Sequence, residues 1–306
     1  MNKLFLFFND ANNENVILDI ISKYDGCSAE CVLTPVNKIL RCVRKLHFYS
    51  GLPGIGVWMR DWKEKLNEID VCVCIASNYS PRILKWIKRK HMSIKCINYY
   101  WDVVSVSGYP VEDNELFENW SFNREDCNKY GMKYSPQFFA EDVRLNCNTL
   151  CYDITYVGAD RNGRLKERAK LVSKYYRLFE ESGIISFFYF VSNSDEVPQE
   201  IRKSELISEI EYYNICSKGR AILDLVESDI KWMTFRPLLA LSNGIKLVTN
   251  NDNIVYEPFY RKENIFVLEK DEIGCLKEFI ESDFLPYENG ELDQYSVRNW
   301  CERFIC

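Results

Sequence analysis

Short β-rich runs alternate with segments of helical period through both halves of the chain, a pattern that packs as parallel strands covered by helices. In the first half the strand candidates are residues 4–8, 71–75 and 94–99. Between the last two, Ile83, Leu84, Trp86 and Ile87 alternate with Arg82, Lys85, Lys88 and Arg89 at helical spacing over residues 80–90. Strand, helix, strand is one βαβ unit. The second half opens with a strand at 153–157 and a long amphipathic helix carrying Leu165, Ala169, Val172, Tyr176 and Phe179, stopped by Gly183. Strands at 184–191, 220–226, 245–249 and 264–268 follow, with helices at 205–216, 237–243 and 271–281. The expected fold is α/β, two Rossmann-like doubly wound parallel-sheet domains facing a cleft, over residues 1–145 and 146–285. Residues 286–306 form a C-terminal tail or helix expected to pack back on the first domain, and the polar, irregular stretch 119–149 is the expected crossing between domains.

Length and composition narrow the class. The chain has 306 residues, 47% of them apolar and 27% charged, which excludes disordered and fibrous architectures. Net charge is −6, and it is uneven: residues 1–150 hold 19 Lys/Arg against 18 Asp/Glu, and residues 151–306 hold 20 against 27. No recognition motif accompanies the basic residues, so nucleic acid is not an expected partner. Thirteen cysteines, an odd number with no export signal before them, read as reduced core thiols. The opening apolar run is too short for a signal peptide, and no stretch approaches the roughly 20 apolar residues that cross a bilayer. A cytoplasmic protein is expected.

Two turns have the composition of anion sites. After the strand at 153–157 come Gly158 and Gly163, which permit close backbone approach, with Arg161, Arg164 and Arg168 at the start of a helix. The spacing is not the three-glycine dinucleotide fingerprint, which disfavours a nicotinamide site; an ordinary β–α turn with a solvated basic helix start is the simpler alternative. Further on, Thr234 and Arg236 precede Pro237, read as a first helical position, so a short helix would aim its positive end together with Thr234 and Arg236 at a ligand.

The segment Thr234-Phe235-Arg236-Pro237-Leu238-Leu239-Ala240-Leu241, with Gly244 and then Lys246-Leu247-Val248-Thr249-Asn250-Asn251, resembles the nucleotide-sugar-binding half of GT-B-type glycosyltransferases of bacterial lipopolysaccharide and capsule synthesis. The resemblance extends over roughly residues 94–280, through Ala221-Ile222-Leu223-Asp224, Tyr256 to Ile265, Tyr99 to Ser105 and Trp120 to Cys127. It implies transfer of a sugar from a nucleoside diphosphate sugar, UDP-sugar by frequency in the family, to a surface glycan or lipid-linked acceptor such as O-antigen or capsule. The first domain would then be the acceptor side and the second the donor side, with no divalent metal and no other cofactor expected, and no Asp-x-Asp motif is present. On this reading Gly158, Arg161, Arg164, Thr234 and Arg236 hold the diphosphate. The family's ribose-binding glutamate and its second acidic residue are replaced by Leu239 and Lys231, so Glu227 and Asp229 are the nearest carboxylates able to bind the ribose, and a retaining mechanism loses support. An inverting transfer needs a general base; Asp102 is the candidate, with a turn or helix cap as its alternative. Trp101 is the candidate acceptor platform, with core packing as its alternative. His47 and His91 read as surface residues or bases. The basic, aromatic stretches 38–47 and 82–95 suit an anionic membrane surface, placing the protein peripherally at the inner face of the plasma membrane. A noncatalytic nucleotide-sugar-binding partner and a nucleotide-sugar epimerase of the same fold are the competing readings.

Overall fold

The computed structural model describes residues 1–8, 16–112, 114–147, 149–160, 166–227, 233–288 and 290–304. It divides into two units, Met1–Pro136 with Val297–Cys306, and Gln137–Ser296. The first holds β1 (Lys3–Phe7), α1 (Val16–Ser22), β2 (Cys27–Cys31), α2 (Lys38–Ser50), β3 (Val71–Ile75), α3 (Ser80–Lys90), β4 (Lys95–Tyr100), α4 (Val104–Ser107), β5 (Glu118–Ser121), α5 (Arg124–Tyr130) and β6 (Lys133–Tyr134). Its strands form one parallel sheet in the order β2-β1-β3-β4-β5-β6. Val71, Cys72, Val73 and Cys74 of β3 are all fully buried, which is why this strand reads as an unbroken apolar run and why two cysteines serve there as small hydrophobes.

The second unit holds β7 (Tyr152–Ala159), α6 (Lys166–Glu181), β8 (Ser186–Val191), β9 (Arg202–Lys203), α7 (Glu209–Cys216), β10 (Gly219–Asp224), α8 (Phe235–Ser242), β11 (Lys246–Thr249), β12 (Ile265–Val267) and α9 (Leu276–Glu281). Its parallel sheet runs β12-β11-β10-β7-β8-β9, the doubly wound order of a Rossmann unit. The α/β class with two Rossmann-like sheets is as expected.

Two expectations are corrected. The stretch 119–149 does contain the passage to the second unit, after Pro136, but it is not irregular throughout, since it carries β5, α5 and β6. Asn123 starts α5 by accepting the Asp126 N–H at 2.7 Å, and Trp120 and Phe122 are buried on either side of the strand end, so polar composition concealed ordered structure. The thiols are also not uniformly core: none of the twelve described cysteines forms a disulfide, and Cys42, Cys151 and Cys275 are exposed.

The last helix, α10 (Val297–Arg303), belongs to the first unit. Its Trp300 is buried against Phe5 at 5.3 Å, Tyr99 at 5.2 Å and Phe304 at 4.8 Å between ring centroids, an aromatic cluster that ties α10 to β1 and β4. On the same helix Cys301 sits beside Cys27. Its hydrogen bond holds the Cys27 thiol down at about 7, against the opposing effect of burial and with help from Lys3, whose Nζ lies 4.0 Å from the Cys27 sulfur. Alkylation of Cys27, followed by peptide mass mapping against pH, is expected to show a midpoint near 7 that moves up in Cys301→Ala; a midpoint at the ordinary thiol value of about 8.5 in the unaltered protein overturns this.

Candidate functional site

The order of build reverses between β7 and β10, so the loops leaving the carboxyl ends of these neighbours part and leave a crevice at which ligands of such sheets bind. Arg236 spans that point. Its Nη2 donates to the Val157 carbonyl of β7 at 2.7 Å, and its Nη1 lies 3.3 Å from Oδ1 of Asp224, the last residue of β10. Asp224 is fully buried, and the same oxygen accepts the Thr234 hydroxyl at 2.8 Å. Thr234 in turn accepts the Arg236 N–H at 3.3 Å and so caps α8, which begins at Phe235 rather than at Pro237. Burial works against the guanidinium charge, yet Tyr212, Tyr156 and Asp224 beside it outweigh that and raise its pKa.

Tyr156 lies under Arg236, with the guanidinium carbon 5.5 Å from the ring centroid. Burial raises its phenol pKa, Arg236 and Arg168 oppose that, and Asp224 and Glu227 add to it. Within this cluster the Tyr156 hydroxyl, Arg168 Nε, Arg236 Nε, Asp224 Oδ2 and Glu227 Oε1 are buried without a hydrogen-bond partner among the described residues. Each such atom costs about 1–3 kcal/mol while unsatisfied. The three on Tyr156, Arg168 and Arg236 can donate and the two carboxylate oxygens can accept, so the cluster is equipped for a ligand with both anionic oxygens and hydroxyl groups.

Beside it lies a cavity of about 520 Å³ at the carboxyl ends of β10, β11 and β12. Glu227, Asn250, Asp252 and Glu269 are among the residues lining it. Asn250 fastens the two strand exits together, accepting the Val226 N–H at 2.8 Å and donating to the Val226 carbonyl at 2.7 Å. Glu269 has φ 73°, the left-handed region that costs an L residue about 1–2 kcal/mol. Hydrogen bonds from Lys174 Nζ at 2.6 Å and the Tyr175 hydroxyl at 2.9 Å hold its carboxylate and keep its pKa below the usual range.

Of the residues singled out from sequence, Thr234, Arg236 and Glu227 fall on this cluster or its cavity; Arg161, Arg164, Asp229 and Lys231 lie outside the described residues. Gly158 is not in a turn but in β7, paired with Phe190. A Cβ there would lie 2.6 Å from the Tyr156 hydroxyl, so the residue is glycine to admit that phenol. Leu239 is 1% exposed and packs in the apolar cluster under α8, a setting in which a carboxylate would lack a partner. Asp224, Tyr156, Asn250 and Glu269 were not anticipated. A carboxylate ending the apolar run Ala221-Ile222-Leu223 is the signal that could have revealed Asp224, because a buried charge requires a partner; the backbone of Glu269 leaves no such trace.

In the first unit, Trp101 and Asp102 follow β4. Trp101 is half-buried and meets Phe7, Tyr99 and Trp300 edge to face at 6.0–6.2 Å. At the start of α4 the Val104 N–H donates to Asp126 Oδ2 at 2.9 Å. His47 is structural, its Nδ1 accepting from Trp58 Nε1 at 2.9 Å while Nε2 faces the Pro53 carbonyl at 2.9 Å. Among the described residues no three His, Cys, Asp or Glu side chains are grouped to hold a metal ion, and no helix is long and apolar enough to cross a membrane.

No protein-family model and no curated protein matches the chain. Solved structures do. T4 phage BGT in complex with UDP and Mn²⁺ is 12% identical, with 99% of this chain and 98% of that one covered at a TM-score of 0.60. The DNA modifying enzyme β-glucosyltransferase, studied with and without uridine diphosphoglucose, is 14% identical over the same shares at 0.56. The Gap123 glycosylation-associated complex of Streptococcus agalactiae is 13% identical over 80% of this chain at 0.42, and this chain covers only 56% of that one. At these identities the likeness to the first two establishes the fold, that of GT-B glycosyltransferases with two Rossmann-like units.

Gly158→Ala is expected to destabilise the protein by about 1–3 kcal/mol through the clash with Tyr156, and Tyr156→Phe in the same chain to recover part of that loss. Equal melting temperatures for Gly158→Ala and the parent would remove this account of the glycine.

Proposed function

We propose that the chain transfers a sugar from a nucleoside diphosphate sugar, with uridine as the base, to a glycan or lipid-linked acceptor of bacterial surface polysaccharide such as lipopolysaccharide or capsule. The observation that carries the reading is the group of unsatisfied donors and acceptors at the β7/β10 switch point, continuous in chemistry with the carboxylate-lined cavity. A nucleoside diphosphate sugar has the matching halves: phosphate oxygens for Arg236, Arg168 and the Tyr156 hydroxyl, and sugar hydroxyls for Asp224 and Glu227. Glu227 takes the place of the ribose-binding glutamate that Leu239 cannot supply. The two neighbours of this fold are themselves described with UDP or uridine diphosphoglucose, which is in keeping with a uridine donor. Asp102 is the proposed general base, Trp101 the proposed acceptor platform, and the workplace the cytoplasmic face of the membrane.

A second reading, a noncatalytic sugar-nucleotide-binding partner, draws on Leu239 and on the engagement of Arg236 by Asp224. Incubation with a panel of radiolabelled nucleotide sugars and acceptors separates the two: transfer supports the proposal, binding without turnover by any donor supports the partner, and release of an isomerised nucleotide sugar supports an epimerase.

Arg236→Lys keeps a cation beside Asp224 but loses the planar fork, so UDP affinity is expected to fall by about 1.5 kcal/mol, roughly tenfold. Calorimetry giving an unchanged dissociation constant sinks the diphosphate assignment. Asp102→Asn is expected to reduce turnover by about 10²–10⁴-fold with UDP binding intact; near-normal turnover removes Asp102 from the chemistry.

A further inference from the structure

Helix α2 is amphipathic the wrong way round for a helix that serves only its own core. Ile39, Val43 and Leu46, spaced i, i+4 and i+7, share one face and are 76%, 46% and 70% exposed. The residues turned inward are Arg44, which donates to the Thr34 carbonyl at 2.9 Å, and Phe48, which stacks on Tyr79 at 4.5 Å. The loop and short turn that follow extend the apolar surface with Leu52 and Val57, 62% and 70% exposed. This surface is held firmly from beneath: Asn37 caps α2 by accepting the Leu40 N–H at 2.9 Å, Gly51 ends it with φ 78°, and His47 bonds both Pro53 and Trp58.

Charge identifies what this face meets. Lys38, Arg41 and Lys45, at i, i+3 and i+7, form a basic stripe beside the apolar one, and all three are exposed. Arg82 of α3 reaches the end of the helix, its Nη2 lying 3.2 Å from where a Cβ on Gly51 would be. Residues 31–60 and 71–101 contain eleven Lys or Arg and no Asp or Glu, in a chain whose acidic residues outnumber its basic ones by 45 to 39. A second copy of the same face would bring like charges together, and a polyanion such as duplex DNA offers nothing to cover outward isoleucine and leucine side chains. An anionic lipid bilayer matches both stripes, hydrocarbon for one and headgroup charge for the other.

We propose that α2 and the 51–57 loop form a membrane-docking element that lies in the interface of an anionic bilayer, with Ile39, Val43 and Leu46 inserted and Lys38, Arg41 and Lys45 at the headgroups. This deepens the lipid-linked half of the function proposed above, and its test needs no sugar nucleotide, so it fails or stands apart from the donor site. The full chain is sedimented with vesicles of phosphatidylcholine alone and of phosphatidylcholine mixed with phosphatidylglycerol. Binding to the mixed vesicles only, weakened at least tenfold in Ile39→Ser/Leu46→Ser and made insensitive to salt in Lys38→Ser/Arg41→Ser/Lys45→Ser, is the expected result. These side chains touch the core little, so unchanged melting of each variant confirms that the fold is kept. The proposal is overturned if the parent does not bind the mixed vesicles, or if Ile39→Ser/Leu46→Ser binds them as the parent does. It is equally overturned if the same substitutions abolish a concentration-dependent dimer in place of vesicle binding, or if duplex DNA is bound through the basic stripe without any role for the apolar one.

Discussion

The ion pair between Arg236 and Asp224 holds the second unit's functional end together. Removing both charges from water is costly, and a buried pair persists only where geometry and further hydrogen bonds compensate. Here the compensation comes from three elements at once: the Val157 carbonyl at the end of β7, Asp224 itself at the end of β10, and Thr234 at the start of α8. The chain that leaves β10 is thereby returned to the place it left. The pair is also incomplete, since Asp224 Oδ2 and Arg236 Nε have no partner among the described residues. On the function proposed above, a diphosphate arriving at Arg236 would meet a cation already shared with a carboxylate, so the attracting field would have to come from Arg168 and the α8 N-terminus as well. Arg236 acts less as a free positive charge than as a fixed fork with one prong left over.

How much of this could be read from the sequence depends on burial. Val71–Ile75 and Ser80–Lys90 are recovered to the residue, because a strand buried on both faces is a continuous apolar run and a half-buried helix has a clean 3.6 period. The strand β2, Cys-Ser-Ala-Glu-Cys, escapes notice: it pairs only with β1 at a sheet edge and four of its five residues are half-buried, so neither pattern is written into it. Gly158 was assigned to a turn by composition, whereas its reason is a phenol two residues earlier that the strand's own pleat brings alongside. Arg236 and Thr234 are legible as polar groups before a short helix; the bond of Arg236 to Val157, 79 residues earlier, is not, because it depends on the parallel pairing of β7 with β10.

Helix α2 shows the same limit from the other side. Periodicity reveals that Ile39, Val43 and Leu46 share a face, but not whether that face points inward. The structure turns it outward because Phe48 and Arg44 occupy the inward face, Phe48 against Tyr79 and Arg44 by reaching the Thr34 carbonyl that precedes the helix. Once those two positions are committed, geometry at 100° per residue places 39, 43 and 46 on the opposite side.

Charge is distributed in the same functional sense. The second half of the chain carries the acidic excess, 27 Asp/Glu against 20 Lys/Arg, yet the carboxylates around the cavity are not all free to repel an anion. Glu269 is bound by Lys174 and Glu167 by Lys170 at 3.0 Å, while Glu227 keeps one buried oxygen without a partner among the described residues. At the switch point Arg236 and Arg168 stand with Asp224, and the neighbouring cavity is lined by Glu227, Asp252 and Glu269 together with Lys270. On the function proposed above, a nucleoside diphosphate sugar would meet Arg236 and Arg168 with its phosphates and Glu227 with a hydroxyl, so the acidic surplus of this half is not by itself an obstacle to such a ligand.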